Sequence, residues 1–243
     1  MDLSRFNIQQ LNQDFCNAEP FNHVIIDDFF SEPFLASVLS EINNYSDEQW
    51  YDKANASINN EPDSIVQSKK IALTDYNKMG VKSKTLIDLT RSEQFITFLK
   101  EVTKINDLEY DPHLFGGGIH KVSTNGRLAI HSDFNIHPLL NKFRRLNVLI
   151  YLNQNWQSNY HGELELWSKD MLKSDIQIAP IFNRVIIFRI TDDAFHGHPD
   201  PWSAPNNIPR LSFALYYYTN DRPENEKAPF HWALWQKRPN VGY

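Results

Sequence analysis

Upstream of about position 110 the apolar residues recur at helical spacing, and downstream of it they come in short runs suited to strands. Leu86, Leu89, Phe95, Phe98, Leu99 and Val102 fall mostly three or four apart across residues 83–105, the period of two consecutive amphipathic helices covering one face of a sheet. A short apolar run over 21–26 reads as a strand that stops at Asp27 and Asp28. Glu32 and Pro33 then open a helix to about Asn43, since proline in a first turn forfeits no hydrogen bond. Residues 52–69 are polar, with Asn, Ser and Asp, one Pro and little periodicity, and predict a long loop that is a candidate lid.

From Asp111 onward, runs rich in Val, Ile, Leu, Tyr and Phe are punctuated by Gly, Pro and Asn. They predict strands at 118–122, 128–131, 146–152, 163–167, 176–178, 184–190 and 210–219. Antiparallel strands at this spacing behind a helical segment predict a mainly β fold with flanking α-helices, a double-stranded β-helix (a cupin-like jelly roll). The expected organisation is one domain over 1–243, with mainly helical support and outer strands in 1–110, a jelly-roll core in 111–220 and a C-terminal extension in 221–243. Gly116-Gly117-Gly118 lacks the spacing and the Lys-Ser/Thr ending of a phosphate loop and reads as a turn.

Composition narrows the classes. A chain of 243 residues, 41% hydrophobic, can bury a sizeable core. Its 24 Lys and Arg against 30 Asp and Glu give a net charge of -6, which argues against a surface built for nucleic acid. The longest apolar runs, such as Val185 to Phe188, fall far short of the roughly 20 residues of a membrane helix. No basic stretch followed by an apolar segment marks the N-terminus as a secretory signal. Cys16 is the single cysteine and is expected as a small residue on an N-terminal helix, so the fold needs no disulfide and a reducing cytoplasm is the expected setting. Oligomeric state is not legible.

His131-Ser132-Asp133 sets an imidazole and a carboxylate two positions apart at a predicted strand end, where both side chains point to one face and can reach one metal. A second cluster, Phe195-His196-Gly197-His198-Pro199, follows the apolar strand at 184–190. Two histidines and one carboxylate form the facial triad of non-haem iron oxygenases, with three positions left open. Alone, H-x-D is a weak signal in a chain with nine histidines. Arg210 and Ser212 strengthen it: they share a strand face, and a guanidinium with a hydroxyl suits a carboxylate held deep in a barrel. An exposed edge-strand arginine is the plainer alternative. Tyr151 shares a face with Asn147 and Leu149, either as a core aromatic or as a phenol seeking a polar partner.

In this order, Gly116 to His120, Leu128 to Phe134, Tyr151-Leu152-Asn153, Gly162 to Trp167, His196 to Pro199 and Arg210-Leu211-Ser212 resemble the 2-oxoglutarate/iron(II) oxygenase superfamily, prolyl 4-hydroxylase-like branch. The resemblance covers roughly 115–220, and residues 21–41 resemble the branch's strand-helix entry. It implies iron ligands at His131, Asp133 and His196, with Arg210 as partner of the distal carboxylate of 2-oxoglutarate and Ser212 and Tyr151 as further candidates for that carboxylate. The family pattern H-x-V/H-P favours His196 over His198, which leaves His198 for an outer or surface role. Where the family has two glycines this chain has His161-Gly162, which either tightens the turn or adds a polar group near the pocket. His120 and His137 flank the motif and either face the pocket or, as expected, satisfy local hydrogen bonds, and His23, His113 and His231 are expected to be structural.

The resemblance further implies Fe(II), 2-oxoglutarate and O2, with ascorbate as a supporting reductant. The implied reaction hydroxylates an unactivated C–H bond while 2-oxoglutarate becomes succinate and carbon dioxide. The implied partner is a protein side chain, a prolyl residue among them, or a small molecule. A carboxylate at Asp133 favours hydroxylation over halogenation. The alternative is a cupin-type isomerase or hydrolase that uses no 2-oxo acid, and a non-enzymatic module with structural histidines stands behind it.

Overall fold

The computed structural model of the chain describes residues 1–50 and 65–243. The described elements are α1 (Ile8–Asn17), β1 (His23–Ile26), α2 (Glu32–Asn43), α3 (Asp47–Trp50), β2 (Gln67–Leu73), α4 (Val81–Arg91) and α5 (Glu93–Thr103), followed by strands. These are β3 (Glu109–Tyr110), β4 (Gly118–Ser132), β5 (Phe143–Tyr151), β6 (Leu164–Trp167), β7 (Ser174–Ile178), β8 (Val185–Arg189), β9 (His196–His198), β10 (Arg210–Thr219) and β11 (Leu234–Trp235).

Local chemistry sets the helix ends. Asn7 caps α1 by accepting from the Gln10 amide, and Ser92 both terminates α4 and caps α5 through the Phe95 amide. The first turn of α4 is capped from another helix: the Glu41 carboxylate of α2 accepts from the Lys82 and Ser83 amides at 2.9 and 2.8 Å. None of the described helices is long and apolar enough to cross a membrane.

The strands form one curled antiparallel sheet in the order β1-β8-β5-β10-β4-β9-β6-β7, with β2 and β11 also on β4 and β3 on β10. Strand β4 makes the curl. Its first half runs between β10 and β2, with Ile119 opposite both Phe213 and Leu73, and its second half runs against β9 and β11. Period-two alternation then divides each central strand between two environments. Leu146, Val148 and Ile150, Val185 and Ile187, and Leu211, Phe213 and Leu215 face the helices and bury Leu35, Val38, Leu86, Phe95, Leu99 and Val102. Each such buried side chain contributes about 1.5–3 kcal/mol of transfer free energy. Asn147, Leu149, Phe188, Ser212, Ala214 and Tyr216 face the other way, into a cavity enclosed by the curl.

This is the expected jelly roll with helices on one side. The predicted helices and most predicted strands stand within a few residues. Three differences matter. The strands predicted at 118–122 and 128–131 are one fifteen-residue strand, β4, broken in register but continuous in chain. Residues 67–69, predicted as the end of a loop, belong to β2, while 52–64, and with them the candidate lid, lie outside the described residues. Strand β9 was masked by its polar, three-residue sequence His-Gly-His.

Candidate active site and metal centre

A cavity of about 230 Å³ opens between the two halves of the curled sheet. On its wall, His131 of β4 pairs directly across the strands with His196 of β9, and the two rings stand 4.7 Å apart between centroids. Asp133, one residue past the end of β4, brings its carboxylate to the same point: its oxygens lie 3.6 Å from His131 Nε2 and 3.4 Å from His196 Nε2. One donor atom from each residue lies within 4.8 Å of the others.

The orientation of both rings is fixed from behind. Nδ1 of His131 lies 2.9 Å from the Ala129 carbonyl and Nδ1 of His196 lies 2.9 Å from the Ala194 carbonyl. A carbonyl only accepts, so each Nδ1 donates its proton and each Nε2 presents a lone pair toward the carboxylate. Burial lowers the His131 pKa below its usual value, which favours that neutral form. Two imidazole lone pairs facing a carboxylate repel unless a cation lies among them, so this donor set fits a divalent metal with the N2O composition of a facial triad. Trp235 packs on His131 at 4.9 Å, and Phe188 packs against His196 at 4.8 Å.

Asp133 is supported by residues to which the sequence pattern assigned no role. Its Oδ2 accepts from Asn147 Nδ2 at 2.7 Å and meets the Arg144 guanidinium at 2.9 Å. Arg144 in turn donates twice to Asn147 Oδ1, at 3.0 and 2.7 Å, and lies over the rings of Tyr216 and Phe134. Burial pushes the Asp133 carboxyl up, but the charged Arg144 guanidinium beside it pulls the other way, and the group lies well below the usual carboxylate range. The only sequence signal for Arg144 was an Arg-Arg pair at the edge of an apolar strand.

At the far end of the cavity Arg210 is buried. Its Nε donates to the Gly162 carbonyl at 2.8 Å and its Nη2 donates to the Tyr151 hydroxyl at 3.2 Å, which leaves other N–H groups of the fork for a ligand. Ser212 lines the cavity beside it. The exposed-arginine alternative therefore falls, and Tyr151 is both core aromatic and polar partner. Gly162 has φ +75°, and a Cβ there would meet Trp202 at 2.6 Å and Arg210 Cδ at 3.2 Å, so only glycine permits this approach. His161 is exposed at φ +56°; it takes the turn position of the missing glycine and adds no polar group to the pocket.

The remaining histidines separate clearly. His198 is buried and lines the cavity, but it pairs with Leu128 and lies outside the three-residue cluster; its Nδ1 has no hydrogen-bond partner among the described residues. A surface role for it is thereby corrected. His120 both lines the cavity and bonds to the Gly116 carbonyl at 3.1 Å, whereas His137 bonds to Asp111 at 3.2 Å in the core. His23 bonds to the Phe21 carbonyl. Lys70 of β2 lines the cavity as well, a residue sequence reasoning missed because it adjoins the predicted loop.

Residues 117–218 match the model of the 2OG-Fe(II) oxygenase superfamily. No curated protein matches the chain. Among solved structures, the chain is similar to a prolyl hydroxylase from Trichoplax adhaerens in complex with a hypoxia inducible factor peptide fragment, with 18% identity, 87% of each chain covered and a TM-score of 0.57. It is similar to a Pseudomonas putida prolyl-4-hydroxylase at 12% identity, covering 87% of this chain and 100% of that one, with a TM-score of 0.58. It is also similar to HygX from Streptomyces hygroscopicus with nickel and 2-oxoglutarate bound, at 12% identity, 88% and 92% coverage and a TM-score of 0.55. The chain thus carries a 2OG-Fe(II) oxygenase domain on a fold shared with prolyl 4-hydroxylases. It is a 2-oxoglutarate-dependent dioxygenase that uses Fe(II), 2-oxoglutarate and O2, and the family match favours this over a cupin-type isomerase or hydrolase.

Proposed function

We propose that this oxygenase hydroxylates an amino-acid residue of a peptide, with a prolyl residue as first candidate, and that His131, Asp133 and His196 hold its iron. The observation that carries the reading is the cavity itself: one enclosed space is lined by the three metal donors and by the buried Arg210 with Ser212, the groups a 2-oxo diacid needs for chelation and for its distal carboxylate. Bound iron supplies the oxidising power for C–H hydroxylation, drawn from O2 and the decarboxylation of 2-oxoglutarate. The chain's own part is positioning. Arg210 and Ser212 hold the distal carboxylate by charge-assisted and neutral hydrogen bonds, and Tyr151 fixes the guanidinium plane. Leu149, Leu164 and Phe188 line the space between and limit water there.

The peptide reading draws support from the cavity mouth. Trp232 lines the cavity while half exposed, and it stacks with Phe115 at 6.4 Å and meets Phe230 edge-on at 4.9 Å. Such flat, exposed rings suit a saturated ring or an apolar side chain of a substrate. The peptide bound by the Trichoplax adhaerens structure is in keeping with this choice, and hygromycin B on HygX marks the small-molecule alternative. The test incubates proline-containing peptides with the protein, iron, ascorbate and 2-oxoglutarate, and reads succinate together with a gain of one oxygen in the peptide by mass spectrometry. Succinate formed without any modified peptide across a broad peptide library refutes the peptide assignment. The lone exposed thiol, Cys16, suits the reducing cytoplasm that we propose as its setting, which cell fractionation tests.

A further inference from the structure

The register of three strands sets a second cation level with Arg210. Val122 of β4 pairs with Arg210 of β10 on one side and with Lys70 of β2 on the other. Residues directly opposite across antiparallel strands point to one face, and all three side chains line the cavity. The backbones of Arg210 and Lys70 stand two strand spacings apart, roughly 10 Å, with a short side chain between them. Two long side chains that flank a short one converge above it, so the guanidinium and the ammonium can reach one ligand group over Val122.

Lys70 owes this place to a break in β2. Strict alternation from Gln67, which lines the cavity, would aim Lys69 inward and Lys70 outward. The pairing instead skips Lys69: Ser68 lies opposite Arg127 and Lys70 opposite Val122. Lys69 takes a left-handed backbone at φ +48° and sends its ammonium outward to the Thr124 carbonyl at 3.3 Å. Bulges of this kind re-aim side chains beside active sites, and a non-glycine residue at positive φ is a cost the fold carries for it.

The metal donors stand at another level of the same cavity. Along β10 the row of Arg210 is followed by that of Ser212, which pairs with His120 and Tyr151, and by that of Ala214, which pairs with Gly118 and Leu149. Only the row after these, Tyr216 with Asn147, reaches Asp133, through the Asn147 amide. Arg210 and Tyr216 are about 20 Å apart along the strand. Lys70 therefore belongs with Arg210 and Ser212, at the level expected for the distal carboxylate.

Neither cation there is neutralised within the protein. Arg210 donates to a carbonyl and a hydroxyl, and Lys70 is half-buried with no hydrogen-bond or ion-pair partner for its ammonium among the described residues. Burial lowers the Lys70 pKa to about 8, which still leaves it mostly charged at neutral pH. Two like charges at one level repel until an anion lies between them. A carboxylate accepts at about four lone-pair positions, enough for a guanidinium fork on one edge and an ammonium on the other.

Resting on the oxygenase reading above, we propose that Lys70 is a second cosubstrate-binding residue: its ammonium and the Arg210 guanidinium hold the same distal carboxylate of 2-oxoglutarate from opposite sides of Val122. Lys70 lies outside the family-matched residues 117–218, so this contact joins the N-terminal part of the chain to the cosubstrate site. A 2-oxo acid without the distal carboxylate leaves both cations uncompensated, so the pair selects the diacid.

The test is calorimetric titration of nickel-loaded protein with 2-oxoglutarate and with 2-oxovalerate, which keeps the proximal carboxylate and lacks the distal one, each carried to saturation. Lys70→Met is expected to weaken 2-oxoglutarate by about tenfold or more, the range for losing a charged hydrogen bond, and to leave 2-oxovalerate within about twofold. Arg210→Ala is expected to show the same selective loss, and Lys70→Arg to recover part of the loss of Lys70→Met. Nickel content should remain one per chain in all three. Because Lys70→Met removes an unpartnered, half-buried charge, the ligand-free variant is also expected to melt at or above the wild-type temperature. A lower melting temperature overturns the proposal in favour of a structural role. Unchanged 2-oxoglutarate affinity in Lys70→Met overturns it too, as does an equal loss for both acids, which would put the ammonium on the carboxylate beside the keto group. Wild-type protein that binds neither 2-oxo acid removes the oxygenase reading itself, a distinct failure.

Discussion

Replacing Arg144 by methionine separates the structural from the metal-binding role of Asp133. The guanidinium is about 1% exposed and lies 2.9 Å from Asp133 Oδ2, and the Asp133 side chain is 13% exposed. Without it the carboxylate keeps one firm donor, Asn147 Nδ2 at 2.7 Å, because the two imidazoles present lone pairs rather than protons. Breaking one side of a buried ion pair typically costs about 3–5 kcal/mol, and the surviving amide places the expected loss near the lower end, about 3 kcal/mol. For a chain of this size that corresponds to a melting temperature lower by roughly 6–12 °C in the presence of a chelator. A divalent metal supplies the missing positive charge, so nickel should raise the melting temperature of Arg144→Met by more than it raises that of the wild type. The pH dependence follows. In the wild type the carboxyl lies well below its ordinary value, so its contribution is complete above the usual carboxylate range and is lost as pH falls below it. In the variant, burial acts on Asp133 without Arg144, the group takes up a proton at higher pH, and the penalty fades; the gap between the two proteins should narrow toward pH 4. The assay is a set of thermal melts at pH 4 to 8 with chelator or with nickel. A chelator melt within about 2 °C of wild type, or a variant that nickel does not stabilise, would refute the reasoning.

The other expectations concern single contacts. His196→Ala should lose stoichiometric nickel and His198→Ala should keep it, as metal analysis of the purified variants will show, since only His196 joins the cluster. Arg210→Ala should raise the 2-oxoglutarate requirement for succinate formation at least about tenfold with metal content unchanged, and Ser212→Ala should act more weakly in the same direction. Arg210→Lys should not restore the wild type, because lysine cannot reproduce both the bond to Gly162 and the fork toward a carboxylate. Gly162→Ala should destabilise the fold by about 1–3 kcal/mol and weaken 2-oxoglutarate binding in titration, since its Cβ would displace Trp202 or Arg210.

Where alternation holds, the sequence could be read directly. Along β5 and β10 the odd-even division of apolar and functional residues put Leu146, Val148 and Ile150 toward the helices and Asn147, Ser212 and Arg210 toward the cavity, with no knowledge of the partners. The metal donors were legible for a related reason: His131 and Asp133 are neighbours in sequence, and His196 follows a strongly apolar strand. Alternation fails at bulges, and the two unread cations of the cavity both stand beside one. Lys69 is skipped in β2 and brings Lys70 inward; Arg145 is skipped in β5, opposite the step from Tyr217 to Tyr218, and brings Arg144 inward. A third register break, between Leu128 and His131, resets β4 so that both residues line the cavity. A bulge depends on two strands at once, which is why one strand's pattern cannot announce it. In the same way, each displaced lysine or arginine read alone is an ordinary charged residue at a strand edge. Two of the cavity's three cations, Lys70 and Arg144, are therefore carried by departures from the pattern, while the pattern itself carries Arg210, the metal donors and the core.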